Sequence, residues 1–162
     1  MKGEEKVNDR QFRDAMGKFA TGITVVSTYH QQETRGMVVN AFMSVSLDPK
    51  LIAISIDEKA SMYPILQETK QFGVSILNAD QQIYSMMLAK QKEKDREIPY
   101  TDLRGMPVVA DALAAIACEV KDMVKAGDHM IFIAEVKDLI MKDDKPVLYY
   151  AGKYRNLSED HA

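Results

Sequence analysis

Six or seven short segments rich in β-branched and apolar residues follow one another along this chain, with no regular helix between them. Neighbouring parallel strands need a crossover of a dozen or more residues, usually a helix, whereas antiparallel strands need only a tight turn. The succession therefore predicts a mainly β fold with short helices, built as an antiparallel barrel and not as a doubly wound sheet. Residues 23–29 read as the first strand, and the polar stretch from His30 to Arg35 predicts a hairpin returning through Gly36 to Phe42. Residues 51–56 are almost continuously apolar, the pattern of a strand buried on both faces. Strands at 72–77, 113–123, 129–141 and 147–150 follow, the long pair joined by Lys125-Ala126-Gly127-Asp128.

Helical periodicity is confined to three places. Over residues 9–20, Phe12, Ala15, Met16 and Phe19 make one apolar stripe, with Asn8 or Asp9 available as N-cap. A helix starts at Ser61, where Pro64 is tolerable because first-turn amides lack intrahelical partners. A third spans about residues 80–90 and carries Ile83, Met86, Met87 and Leu88. The mixed charge run from Lys90 to Glu97 reads as a solvated helix end and loop.

A chain of 162 residues fits one domain, 1–162 with its core at about 10–157. Its net charge of −3 argues against nucleic acid or an anionic membrane as partner, since both call for a concentrated basic face. No apolar stretch approaches the ~20 residues needed to cross a bilayer. The charged start, Met1 to Lys6, is no secretory signal, so a cytoplasmic location is expected. One cysteine, Cys118, in an apolar run, cannot form an intrachain disulfide and reads as a small buried hydrophobe. Eleven methionines with no tryptophan suit irregular core gaps and flat partners.

The catalytic motifs that are missing narrow the chemistry. No His, Cys or carboxylate cluster has metal-ligand spacing, so no metal is expected. The three histidines, His30, His129 and His161, are scattered. There is no P-loop, no Gly-x-Gly-x-x-Gly after a strand and no Gly-x-Ser-x-Gly elbow. An enzyme with these absences borrows its chemistry from an organic cofactor.

Four stretches carry a positive signal. They are Phe12-Arg13…Met16-Gly17…Phe19-Ala20-Thr21-Gly22 running into Ile23-Thr24-Val25-Val26; Gly36-Met37-Val38-Val39-Asn40-Ala41-Phe42-Met43-Ser44-Val45-Ser46-Leu47-Asp48-Pro49; Ala126-Gly127-Asp128-His129; and Gly152-Lys153-Tyr154-Arg155-Asn156-Leu157. In this order and spacing, over about residues 10–157, the chain resembles the short-chain flavin reductases, the reductase components of two-component flavin-dependent monooxygenases. The resemblance implies an FMN-binding split β-barrel with Greek-key-like antiparallel connections, a homodimer and NAD(P)H:flavin oxidoreductase activity. It also implies FMN or FAD, NADH or NADPH as hydride donor, and an oxygenase that receives the reduced flavin.

The residues can be read beside that resemblance. Gly36 lets backbone approach closely. Val38, Val39, Asn40 and Ala41 offer a small apolar surface with main-chain amides and one side-chain amide, and by resemblance they line the flavin ring. Ser44 and Ser46, two apart in an extended chain, are expected on one side, near Lys59 and the helix beginning at Ser61. That group would suit a phosphate, and the resemblance places the flavin phosphate there. Ser55 and Ile56 end the neighbouring strand and are expected to touch the ring. By resemblance His129 reaches the nicotinamide side, while Lys153 and Tyr154 meet the dinucleotide or cover the flavin. The family commonly has threonine after Gly-Met, where this chain has Val38, so one hydroxyl contact to the ring is lost. Two alternatives stay open. One is a tightly flavin-bound oxidase of the pyridoxamine-phosphate-oxidase type, which would need an arginine-rich substrate site. The other is a non-catalytic flavin- or haem-binding module.

Overall fold

The computed structural model describes residues 6–158, so the charged start at Met1 to Glu5 and His161 fall outside the described residues. Helix α1 (Asp9–Gly17) starts with a reciprocal capping box: Gln11 N–H donates to Asn8 Oδ1 at 2.9 Å, and Asn8 N–H to Gln11 Oε1 at 3.2 Å. The helix stops three residues earlier than the stripe suggests, and its apolar side is turned outward. Phe12, Met16 and Phe19 are 58%, 56% and 79% exposed.

Strands β1 (Thr21–Gly22) and β2 (Thr24–His30) lead into β3 (Glu33–Val39) through a two-residue turn, tighter than expected, with Gln31 and Gln32 at φ 51° and 65°. β4 (Phe42–Leu47) and β5 (Lys50–Asp57) form a second hairpin. α2 (Met62–Thr69), β6 (Gln71–Ile76), one turn of 3-10 helix (Ala79–Gln81) and α3 (Gln82–Leu88) follow. β7 (Tyr100–Leu103) pairs with β8 (Met106–Val109), and the long pair β9 (Ala114–Ala126) and β10 (His129–Met141) precedes the hairpin β11 (Val147–Tyr150) and β12 (Lys153–Asn156).

The main sheet is antiparallel and seven-stranded, in the order β3-β2-β6-β9-β10-β5-β4. β3 and β4 lie at its opposite edges, yet only Asn40 and Ala41 separate them in sequence. In a flat sheet six strand spacings would hold these edges about 29 Å apart. The three Cα steps from Val39 to Phe42 reach at most about 11 Å. The sheet must therefore curl until its edges nearly meet. This is the expected antiparallel barrel, with its split at Asn40-Ala41.

Inside the curl, Val26, Ile54, Ile56, Phe72, Val74 and Phe132 form the core, with Met62, Ile65 and Leu66 of α2 over one opening. A second cluster, Ile23, Val25, Leu77, Met87, Val109 and Val147, lies on the other side of β2, whose first five residues are all buried. β2 is buried on both faces over its first five residues and β6 from Phe72 to Ser75; β5 is buried on both faces at Ile52, Ala53 and Ile54, as expected, and opens on one face only from Ser55, which is half-exposed. The β7–β8 hairpin, unread in the sequence because Pro107 argues against a strand, presses on the outside of β2 and β6. Small residues make room: Ser27 Oγ donates to the Pro107 carbonyl at 2.6 Å, and Val109 N–H donates to Ser75 Oγ at 2.8 Å. The seating can be tested at Gly73, where a Cβ would stand 2.4 Å from the Pro107 oxygen. Gly73→Ala should cost about 1–3 kcal/mol by forced overpacking, read as a lower urea midpoint at unchanged slope. Conversely, Gln31→Asn with Gln32→Gly fits the left-handed turn better and should raise stability by about 1 kcal/mol in the same assay.

Candidate active site

The split of the barrel organises most of the polar groups singled out above. Between β3 and β4 the backbone is held by two bonds: Phe42 N–H donates to the Asn40 carbonyl, and Ser55 N–H to the Ala41 carbonyl, both at 3.0 Å. Ala41 is thereby tied to β5 beside Ser55. On the far side of β5, Ser55 pairs with Ile131 and Asp57 with His129. Residues directly opposite in a sheet share a face, so Ser55, Asp57, Ile131 and His129 face together, away from the core. Two strand spacings across and two residues along put His129 about 12 Å from Ala41. A strip of that width, floored by half-buried Ser55 and Ile131, accommodates a planar tricyclic ring.

The His129 end is fixed by several contacts. Glu58 N–H donates to the Asp128 carbonyl at 3.0 Å, tying the β9–β10 turn to the end of β5. His129 Nδ1 lies 2.8 Å from Asp128 Oδ1, and the imidazole, through that hydrogen bond, holds the Asp128 carboxyl below the usual aspartate range. Asp57 accepts from the Lys59 N–H at 2.8 Å, making the turn that starts α2. Lys59 and Ser61 are both exposed there, and the Ser61 hydroxyl makes no capping bond. An ammonium and an unspent hydroxyl thus stand beside the first turn of α2.

Other expected residues fall elsewhere. Val39 and Ile56 are 4% and 1% exposed and point into the core, so neither side chain can face a ring. The Thr24 hydroxyl already donates to the Val39 carbonyl. A bulge at Val45 places Ser44 opposite Ile52 and Ser46 opposite Leu51. Successive strand residues point to opposite faces, so the two serines do not share a side. Both are also remote from Lys59 within one chain, because Ile52 lies five residues of strand, about 16 Å, from the end of β5. Gly36 has a packing reason of its own: a Cβ there would stand 2.5 Å from the Tyr100 hydroxyl. Burial pushes that phenol up to about 12. Cys118 lies in the core, its thiol also pushed up to about 12 by burial.

On the other flank of Asn40 lies a cavity of about 320 Å³, between Ile23, Met37, Val38 and Asn40 on one side and Ser85, Leu88, Gln91 and Tyr154 on the other. Tyr154 is anchored: its ring meets Tyr149 edge-on at 5.3 Å, and its hydroxyl lies 3.0 Å from Ser85 Oγ and 2.7 Å from Gln91 Oε1. Lys153 is exposed beside it, just after the left-handed turn Ala151-Gly152. Ser85 and Gln91 were not foreseen, since Gln91 sits at the head of a charge run that reads as solvated surface. The strip and this cavity, on either flank of Asn40, together supply amide, hydroxyl and cationic groups, the donor set that a flavin's carbonyl edge and phosphate require. Among the described residues no three His, Cys, Asp or Glu side chains are grouped to hold a metal, and no helix is long and apolar enough to cross a membrane.

Comparison with known proteins agrees with this architecture. A chain described as flavin reductase PheA2 in its native state superposes with a TM-score of 0.92 at 48% identity, covering 94% of this chain and 100% of that one. An NADH-dependent flavin reductase of a Rhodococcus species is 36% identical over 95% of this chain and 89% of its own length. The reductase component of 4-hydroxyphenylacetate 3-monooxygenase from Thermus thermophilus is 32% identical, over 90% and 95% respectively. Residues 16–158 match the flavin reductase like domain, and with that match the chain belongs to the flavin reductase-like family.

Proposed function

We propose that the protein is an NAD(P)H-dependent flavin reductase that moves hydride from NADH or NADPH to FMN or FAD and passes the reduced flavin to an oxygenase component. The observation that carries this reading is the strip between Ala41 and His129, half-exposed at Ser55, Asp57, Ile131 and His129 and edged at both ends by fixed polar groups. The naming of a Rhodococcus relative as NADH-dependent and of a Thermus relative as a monooxygenase reductase component supports the donor and the recipient.

Flavin, when bound, supplies a ring able to accept a hydride and later release the electrons. The chain's own residues hold and orient. Asn40 and the Val38–Ala41 backbone hold the ring edge, Ser55 lies beneath it, and Lys59 with the Ser61 hydroxyl receives the phosphate. Ser44 and Ser46 stand too far along β4 to join them in the same chain. His129, held by Asp128, hydrogen-bonds the nicotinamide carboxamide, and Lys153 and Tyr154 flank the dinucleotide. No side chain needs to gain or lose a proton, because alignment of two flat rings alone can supply several kcal/mol.

A strip reached by water needs a cover, and the single chain leaves several large apolar side chains uncovered. Phe19, Met43, Leu47 and Met141 are 79%, 59%, 84% and 79% exposed. We infer that two copies of this single domain associate through these residues as a homodimer, which works in the cytoplasm. Leu47→Glu should shift sedimentation from a dimer toward a single 18.3 kDa chain and cut turnover. The reductase reading is tested by mixing NADH, FMN and protein without oxygen. Catalytic bleaching of excess flavin is expected; reduction of no more than one flavin per chain would overturn it. In that assay His129→Ala should raise the KM for NADH about tenfold, the worth of one lost hydrogen bond, with little change in the KM for FMN.

A further inference from the structure

Helix α3 does not fray into the charge run. Lys90 adopts φ 56°, its N–H donates to the Met87 carbonyl at 3.1 Å, and the Gln91 N–H donates to the Met86 carbonyl at 2.8 Å. This is the Schellman pattern, which fixes the chain direction for one residue beyond the helix. Its effect is to aim Gln91 back at the β11–β12 hairpin, where Gln91 Oε1 accepts from the Tyr154 hydroxyl at 2.7 Å. Tyrosine has one hydroxyl proton, and here Gln91 receives it. Ser85 Oγ, 3.0 Å from the same oxygen, is therefore the donor in the second bond.

The relay Ser85–Tyr154–Gln91 uses the carbonyl end of the Gln91 amide and leaves its NH₂ end without a partner among the described residues. Gln91 also lines the cavity of about 320 Å³ whose opposite wall is Val38 and Asn40. The floor there is apolar (Ile23, Met37), so an amide donor at the rim would fix the orientation of a flat ring seated inside. The neighbouring charge run contributes little to that wall. Its ions neutralise one another, as in Lys92–Asp95 and Lys94–Glu97, both at 3.3 Å.

We propose that Gln91 is a ligand-contacting, specificity-determining residue, and that its NH₂ group donates to a conjugated carbonyl oxygen on the edge of the heterocycle in this cavity. Tyr154 and Ser85 are positioning residues that hold the amide in place. The proposal rests on the reductase reading, which supplies two molecules with such a carbonyl: the carboxamide of nicotinamide and the pyrimidine ring of flavin.

Direct binding separates the two and needs no turnover. FMN and NAD⁺ are titrated separately by calorimetry into the wild type, Gln91→Ala, Tyr154→Phe and the double variant. Gln91→Ala should weaken one ligand about five- to tenfold, as loss of one hydrogen bond requires, and leave the other within about twofold. Tyr154→Phe should weaken the same ligand less, and the double variant should bind no worse than Gln91→Ala, because the two residues act as one unit. The ligand affected names the occupant. Equal weakening of both ligands, weakening of neither, or a lowered Tm with unchanged affinities would reduce the relay to a structural tie and overturn the proposal. A wild type that reduces no FMN yet shows this binding pattern would sink the reductase reading alone; one that binds neither molecule would sink both.

Discussion

Two residues joining opposite edges of a seven-stranded sheet are the constraint from which the rest of this structure follows. Because Asn40 and Ala41 are too short to cross a flat sheet, the strands have to wrap. The wrapping creates an enclosed volume that Ile54, Phe72 and Phe132 fill and α2 covers. The same two residues cannot join the ladder on both sides at once. Their backbone is left accessible where the edges meet, and polar groups of neighbouring elements converge there. Fold and site thus share a cause: the link that closes the barrel also opens a slot.

β5 is the spine of that slot. One of its faces is committed to the core through Ile52, Ile54 and Ile56, which sets its register and cannot slip without exposing all three. The register in turn dictates that Ser55 lies beside Ala41 and that Asp57 lies beside His129. The polar face of the site is therefore positioned by the apolar face behind it, with no dedicated machinery. Asp128 and Glu58 only fasten the far end.

Much of this was legible in the amino-acid order. Dense β-branched runs with short polar gaps implied antiparallel strands, and the stretches around Asn40, His129 and Tyr154 implied one family. What escaped reading did so for physical reasons. A bulge is invisible to simple alternation, so Ser44 and Ser46 were assigned to one side when the extra residue at Val45 sends them to opposite sides. Register decides which residues of an apolar strand are spent on the core, and it consumed Val39 and Ile56. The outward stripe of α1 has a periodicity indistinguishable from that of a helix packed on its own core. Pro107 concealed the β7–β8 hairpin, although the row of small residues at Ser27, Gly73 and Ser75 is the trace such a hairpin leaves on the strands beneath it.

The short link between β3 and β4 also bears on how this scaffold can change over evolutionary time. An inserted residue between Val39 and Phe42 would slacken the closure and displace the exposed Asn40–Ala41 backbone together, so length there is doubly constrained. The segment after α3 closes nothing and carries its own ion pairs. A change in its length or charge would therefore leave the closure of the barrel unaltered.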